Sequence, residues 1–340
     1  MKRVLVTGGA GYIGSHTLVE LSQRGYELFV LDDFSNSSPR SLAAVAKIIG
    51  KTVPYAACDI RSKPDVEAVF RDFRPDAVIH FAGVKSVGES CREPIKYYDI
   101  NVQGTLNLVA VMQSADCRNL IFSSSATVYG VPSEIPLTEN AALGAVQPYG
   151  RSKLMCEQVL LDLAAADKRW RVALLRYFNP AGAHSSGLIG EDPAGEPQNL
   201  VPYISQVASG LREELKIFGD DYPTPDGTGV RDFIHVVDLA IGHVAAVRHL
   251  FESAESDPLV VNLGTGTGCS VLDILKTFRQ VSGKAIPARV FERRPGDLAS
   301  YYSSPELAAE KLGWRAERGL EEICRDAWNW QSQNPRGYRE

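Results

Sequence analysis

The sequence predicts an α/β fold, a doubly wound parallel sheet followed by a smaller, mostly helical C-terminal region. Three observations predict it. Through the first half, apolar runs of strand length alternate with amphipathic helical stretches, the pattern of repeated βα units. A glycine-rich turn joins the first strand to the first helix. The ends of successive strands carry unusual residues (Thr7-Gly8, Asp32, Asp59, Phe81-Ala82-Gly83, Ser123-Ser124-Ser125, Tyr177-Phe178-Asn179), at the sheet edge where open α/β folds bind ligands.

The elements follow in order. A strand at Val4 to Val6 breaks into glycine and resumes as a helix from Tyr12 to Arg24. Strands follow at Leu28 to Leu31, Val53 to Ala57, Ala77 to Phe81, Asn119 to Ser123 and Val172 to Tyr177, with helices at Pro39 to Ile49 and Lys63 to Phe73 between them. A long helical region starts near Pro94, with apolar positions at Val102, Leu106, Val109 and Met112, and a further helix starts near Tyr149. After Asn179 the pattern changes. Pro180 to Asn199 is rich in Gly, Pro, Ser and His and reads as a long functional loop. Helices are expected at Val201 to Leu211, Val236 to Phe251, Val271 to Val281, Ser304 to Leu312 and Leu320 to Gln331. The chain thus divides into residues 1–179, a dinucleotide-binding domain onto which 236–262 packs back, and residues 180–340, a substrate region.

The turn reads as Gly8-x-x-Gly11-x-x-Gly14, and also as Gly9-x-Gly11-x-x-Gly14. Either register allows a tight turn, close backbone approach to a pyrophosphate, and tight packing of helix on strand, the Rossmann-type arrangement. The free N–H groups of the helix N-terminus then face the phosphates. Asp32 ends the second strand, where a carboxylate can bind adenine-ribose hydroxyls and repel a 2′-phosphate. No basic residue follows before Arg40, so NAD is expected rather than NADP.

Composition excludes several classes. The 340 residues are 44% hydrophobic and 23% charged, ordinary for a globular enzyme, and the net charge of −5 gives no reason to expect nucleic acid or an anionic membrane as partner. No run approaches the roughly 20 apolar residues of a membrane span. Glycines cut the N-terminal apolar run short of a signal peptide, and a cytoplasmic location is expected. The six cysteines are scattered without a CxxC pair, and His235, His243 and His249 lack metal-ligand spacing and partnered acids, so no metal is assigned. His80 reads as a satisfied core histidine, and His16 as near the phosphates but not catalytic.

Tyr149-Gly-Arg-Ser-Lys153 is the sharpest catalytic signal. Residues i and i+4 share a helix face. A phenol of pKa near 10 is a poor base at neutral pH. An ammonium at about 4 Å, at an effective dielectric of about 20, is worth roughly 4 kcal/mol, or about three pKa units. Such a cation would make the phenol a usable general base.

Together, Gly8-x-x-Gly11-x-x-Gly14, Asp59-Ile60, His80-Phe81-Ala82-Gly83, Ser123 to Gly130 and Tyr149-x-x-x-Lys153 resemble an extended short-chain dehydrogenase/reductase. Longer runs, Phe81 to Ser90, Leu174 to His184, Asp221 to Asp232 and Arg294 to Asp297, are similar to the UDP-galactose (UDP-glucose) 4-epimerase family, over essentially the whole chain. The resemblance implies C4 epimerisation of UDP-glucose and UDP-galactose through a 4-keto sugar, with hydride lent to bound NAD and returned. It implies that Tyr149 takes the proton of the sugar 4-hydroxyl, Ser125 relays it, and Lys153 holds the nicotinamide ribose and lowers the Tyr149 pKa. It implies cofactor contacts from Gly8, Gly11, Tyr12, Ile13, Gly14, Asp32, Asp59, Ile60, Phe81, Lys85, Asn101 and Phe178. Substrate contacts are implied for Asn179, Asn199, Leu200, Phe218, Arg231, Arg294, Asp297 and Tyr301, the arginines clamping the pyrophosphate and Tyr301 limiting room beside the sugar 2-position. Homodimers are implied, through the helices around Val102 to Met112 and Tyr149 to Leu163.

Other readings stand beside these. Tyr149–Lys153 can be a solvated surface pair, Arg231–Asp232 or Arg294–Asp297 a plain ion pair, and Tyr301 packed core. An epimerase of UDP-N-acetylhexosamine, UDP-pentose or dTDP-sugars would share the motifs. Ser125 is followed by Ala126 and Thr127, which leaves no acid there for eliminating water and argues against a dehydratase. A non-catalytic NAD-sensing regulator would have no need of the Tyr149–Lys153 pair. Two departures from the family pattern are Phe233, where a tyrosine is common, and Ser304, expected to cap a helix.

Overall fold

A computed structural model describes residues 1–253, 257–294 and 296–338; Pro295, inside the Arg294–Asp297 motif, lies outside the described residues. The first half runs β1 (Arg3–Thr7), α1 (Tyr12–Gln23), β2 (Glu27–Asp32), α2 (Pro39–Ile49), β3 (Tyr55–Ala57), α3 (Lys63–Phe73) and β4 (Ala77–His80). Next come α4 (Val87–Arg92), α5 (Pro94–Tyr97), a π-helical turn (Tyr98–Gln103), α6 (Gly104–Ser114), β5 (Asn119–Ser125), α7 (Pro148–Ala166) and β6 (Arg171–Tyr177). The second half adds β7 (Asn179–Ala181), α8 (Leu200–Ala208), β8 (Leu215–Phe218), β9 (Val230–His235), α9 (Val236–Glu252), β10 (Leu259–Leu263), β11 (Gly268–Ser270), α10 (Val271–Ser282), β12 (Ala288–Phe291), β13 (Ser300–Tyr301), α11 (Glu306–Leu312) and α12 (Leu320–Gln333).

Seven parallel strands form one sheet in the order β10-β6-β5-β4-β1-β2-β3. The central strands are buried on both faces, and their unbroken Val/Leu/Ile runs reflect it. One face packs against α1, α2 and α9 through Leu18, Leu21, Val45 and Val247; the other packs against α3, α6 and α7 through Val66, Phe70, Leu108, Met112 and Leu160. Strand order reverses beside β1, between β1 and β4, and this opens the crevice at the carboxyl edge of the sheet. β10 pairs with β6 through Leu259 to Leu263, and Ala308, Leu312 and Trp314 join the first core.

The second half has its own core, with Val201, Ile204, Phe233, Ile274, Phe278 and Ile323 at its centre. It is less helical than the sequence suggests. β9 pairs with β7, β11 and β13, and β8 pairs with β12. These strands are two to six residues long and too polar (Val-Arg-Asp-Phe-Ile-His in β9) to show a strand period. Local signals set several ends. Ser38 accepts from the Arg40 N–H ahead of Pro39 at the start of α2, and Ser270 and Asp273 form a capping box on α10. Ser304 does not cap: α11 starts after Pro305, and the Ser304 N–H is held by the Leu137 carbonyl. Among the described residues no helix is long and apolar enough to cross a membrane.

Candidate active site

The carboxyl edge of the sheet and the 180–235 segment enclose a cavity of about 970 Å³. Its walls include Gly8, Gly11, Tyr12, Ile13, Gly14, Asp32, Asp59, Ile60, Phe81, Lys85, Ser125, Tyr149, Lys153 and Phe178. From the second half come Asn179, Asn199, Leu200, Phe218, Arg231, Arg294 and Asp297. Two expected site residues are not on the wall. Asn101 is buried behind it, where its side chain accepts from the Val84 N–H (2.9 Å) and donates to the Val84 carbonyl (3.1 Å) and Ser152 (2.9 Å). It fixes the 83–85 turn. Tyr301 packs its ring on Phe178, 5.8 Å between centroids, and donates to the Ala126 carbonyl at 2.6 Å.

The glycine turn is shaped for close approach. Gly8 has φ +69°, and a Cβ there would lie 2.6 Å from the Ala82 nitrogen. A Cβ on Gly14 would lie 2.4 Å from the Gly8 carbonyl, so α1 rests directly on the turn. The first intrahelical acceptor of α1, Gly11, serves Ser15, which leaves the N–H groups of Tyr12, Ile13 and Gly14 for an anion at the dipole's positive end. Asp32 lies at the far side. Its Oδ1 accepts from Phe34 N and Ser37 Oγ, and its Oδ2 from Ala10 N at 2.9 Å. Of roughly four acceptor positions on a carboxylate, three are taken, so one ribose hydroxyl fits without displacing a bond. Burial raises the Asp32 pKa, opposed by these hydrogen bonds. A backbone-lined anion pocket with an acid beyond it fits a dinucleotide lacking a 2′-phosphate.

At the catalytic end, Ser125 closes β5 and accepts from the Thr127 N–H (3.2 Å) and hydroxyl (3.0 Å). Its own proton has no acceptor among these contacts, and Ser125 and Tyr149 line the same cavity. The Tyr149 ring is held edge-on by Tyr97 at 6.4 Å. Desolvation raises the Tyr149 pKa, opposed by the neighbouring Ser125 hydroxyl and by the Lys85 charge. The resemblance implied Lys153 as the lowering cation; the charge opposing the rise here is that of Lys85. Lys153 donates instead to the Ser123 carbonyl at 2.8 Å, and burial lowers its pKa to about 8. For Lys85, desolvation disfavours the charge, but Glu191, at 3.0 Å, more than offsets it and the pKa is raised.

In the second half, Asp297 binds both arginines, Arg294 at 2.8 Å and Arg231 at 3.8 Å. Burial lowers the Arg231 pKa, countered by Asp297. The proposed Arg231–Asp232 pair is absent among these contacts: Asp232 is fully buried and accepts from Thr265, Gly266 and Ser303. Arg294 also stacks over Phe218 at 4.8 Å.

The histidines divide. His80 is satisfied by Thr7 and Thr105, as expected. His235, read as lacking an acid, meets Asp326 at 3.3 Å, a partner 91 positions away that spacing does not reveal. Among the described residues no group of three or more His, Cys, Asp or Glu side chains is arranged to hold a metal. Sequence reasoning missed Glu191 and Tyr338, which also line the cavity. Glu191 stands in a loop without periodicity, where only the adjacent acids Glu191-Asp192 were a signal.

Comparison with known proteins agrees with this geometry. Residues 4–264 match the model of the NAD dependent epimerase/dehydratase family. The UDP-glucose 4-epimerase of Bacillus subtilis (strain 168) is 56% identical over 336 residues, 99% of this chain and 98% of that one. The crystal structure of UDP-glucose 4-epimerase from Bifidobacterium longum in complex with NAD+ and UDP superimposes with a TM-score of 0.95 at 50% identity, covering 99% of this chain and 100% of that one. UDP-glucose-4-epimerase from Stenotrophomonas maltophila, with bound NAD and formylated UDP-arabinopyranose, gives 0.96 at 48% identity, covering 99% of each. The chain belongs to the NAD dependent epimerase/dehydratase family, among its UDP-glucose 4-epimerases.

Proposed function

We propose that this chain interconverts UDP-glucose and UDP-galactose by inverting C4 through a 4-keto sugar. The observation that carries the reading is the convergence of Ser125, Tyr149 and Lys153 with the glycine turn and with Arg231 and Arg294 on one cavity. NAD, when bound, supplies a hydride acceptor and donor at the sugar's C4. Tyr149 takes the 4-hydroxyl proton as phenolate. Ser125, on the same wall, relays the proton from the sugar 4-hydroxyl to the phenolate and back again when the 4-keto sugar is reduced. The Lys85 charge favours the phenolate. Lys153 supports the cofactor end of the cavity. Arg231 and Arg294 hold the UDP pyrophosphate, and Asp297 keeps their guanidinium groups oriented. Asn179, Asn199, Leu200 and Phe218 contact the sugar, phosphate and uracil. Tyr301, behind the wall, backs the Phe178 ring and through it limits room beside the sugar 2-position.

We assign residues 1–179 with 236–262 to cofactor binding and 180–340 to the UDP-sugar. A homodimer in the cytoplasm fits this reading. Leu106 and Met155, 39% and 43% exposed, flank a shallow depression bordered by Tyr98, Asp99, Val102 and Gln103, an apolar face suited to a second copy. Incubating the pure protein with UDP-galactose and resolving the sugars tests the activity: UDP-glucose should appear. No conversion, even after NAD is supplied, would refute it.

A further inference from the structure

Glu191 and Asp192 are consecutive residues of the long loop that covers the cavity, and they bind in different directions. Glu191 Oε1 accepts from Lys85 Nζ at 3.0 Å and from Asn199 Nδ2 at 2.9 Å. One carboxylate therefore joins a lysine on the cofactor side of the cavity to an asparagine on the sugar side. Its side chain is 9% exposed, so the pair with Lys85 is shielded on the acid's side. Asp192 Oδ2 accepts from the Tyr338 N–H at 2.8 Å. The end of α12 and the segment after it fix the same loop at further points. The Tyr338 hydroxyl accepts from the Gly190 N–H at 3.4 Å, and Asn334 Nδ2 donates to the Gly187 carbonyl at 2.9 Å. Asn329 Nδ2 donates to the Ser185 carbonyl at 2.9 Å, and the Tyr338 ring packs on Trp330 at 4.9 Å. Arg40, at the start of α2, donates to the Tyr338 carbonyl at 2.8 Å. The segment thus bridges the cofactor half and the loop, and Tyr338 itself lines the cavity.

We propose that Glu191 is a positioning residue that ties Lys85 and Asn199 together across the cavity, and that the Tyr338 segment holds it there through Asp192, so that the loop retains both nucleotides. The proposal rests on the assignment of Lys85 to the cofactor side and Asn199 to the substrate side. A tether of this kind acts on ligand release and KM more than on the chemical step.

The test compares wild type, Glu191→Ala, Glu191→Gln and Tyr338→Ala as full-length NAD-loaded proteins. The readouts are NAD release into a scavenging dehydrogenase, UDP dissociation, and kcat and KM for UDP-galactose. Glu191→Ala should raise both the NAD release rate and KM by about tenfold, the scale of one lost charge-assisted hydrogen bond. Glu191→Gln keeps an acceptor for Asn199 but loses the charge facing Lys85. It should restore KM toward wild type while NAD release stays fast. Tyr338→Ala should reproduce the Glu191→Ala pattern in weaker form, with the loss in KM and release rather than in kcat. Far-UV circular dichroism and thermal unfolding of each variant separate this from misfolding. Equal NAD release and KM across folded variants would overturn the proposal alone. A wild-type chain binding neither NAD nor UDP would overturn the cavity assignment and the proposal with it.

Discussion

Lys153 donates to the main-chain carbonyl of Ser123 at 2.8 Å, and so spans from α7 to the strand that ends in Ser125. The ammonium lies 4.9 Å from the Phe122 ring and is almost fully buried, and burial lowers its pKa to about 8. Burial therefore penalises the charged ammonium in the folded chain, whereas the unfolded chain keeps it solvated and charged up to its ordinary range. This depresses stability at neutral pH and is relieved as pH rises from about 8 toward 10.5. In NAD-stripped protein, Lys153→Met should be more stable than wild type at pH 7 by about 1–3 kcal/mol, with the advantage shrinking above pH 8. Denaturant melts at pH 7 and pH 9.5 check this; a difference independent of pH would contradict it.

Conversion of Tyr149 to phenylalanine removes the hydroxyl proposed as the general base. Removing a positioned general base costs roughly 10²–10⁴-fold in rate, so kcat of Tyr149→Phe should fall by that order with NAD still bound. Retained turnover within about tenfold would exclude Tyr149 as the base.

The same phenol gives a pH prediction. Burial raises its pKa, and Lys85 opposes the rise. The rate should therefore climb with pH as phenolate forms. In Lys85→Met the lowering charge is gone, and the rising limb of the kcat profile should move to higher pH. A limb at the wild-type position would show that Lys85 does not act on Tyr149.

Gly8 and Gly14 leave no room for a side chain, with added Cβ atoms 2.6 Å from Ala82 N and 2.4 Å from the Gly8 carbonyl. Gly14→Ala should purify with little or no NAD, and Gly8→Ala should be affected further by its positive φ. Absorbance after acid release of the cofactor measures it; full NAD occupancy in both would contradict the close packing.

Tyr301 is tied to Ala126 and stacked on Phe178. Tyr301→Cys should gain activity on UDP-N-acetylglucosamine relative to UDP-glucose. An unchanged substrate ratio would reject a part for Tyr301 in specificity.

What the sequence revealed follows from how local its signals are. The helices Pro39–Ile49 and Lys63–Phe73 have the bounds expected, because proline at their starts and a short apolar face mark them. The turn from Gly8 to Gly14 is equally local. The region after Pro94 is less so: one expected helix is α5, a π-turn and α6, and Leu106 points outward at 39% exposure. Apolar spacing did not separate a face on the sheet from a face on the surface. Contacts between distant positions were hidden. These include His235 with Asp326, Lys153 with Ser123, Glu191 with Lys85, and the retreat of Asn101 behind the wall. The wall residues were recognisable by type, but hydrogen-bond partners were not, since tertiary placement alone selects among equivalent carboxylates and carbonyls.

In the proposed reaction hydride leaves C4 and returns to C4 without meeting solvent. Conversion of UDP-galactose carrying deuterium at C4, in ordinary water, tests it most directly. The UDP-glucose formed should keep its deuterium at C4, and loss of the label to solvent would contradict hydride transfer within the site.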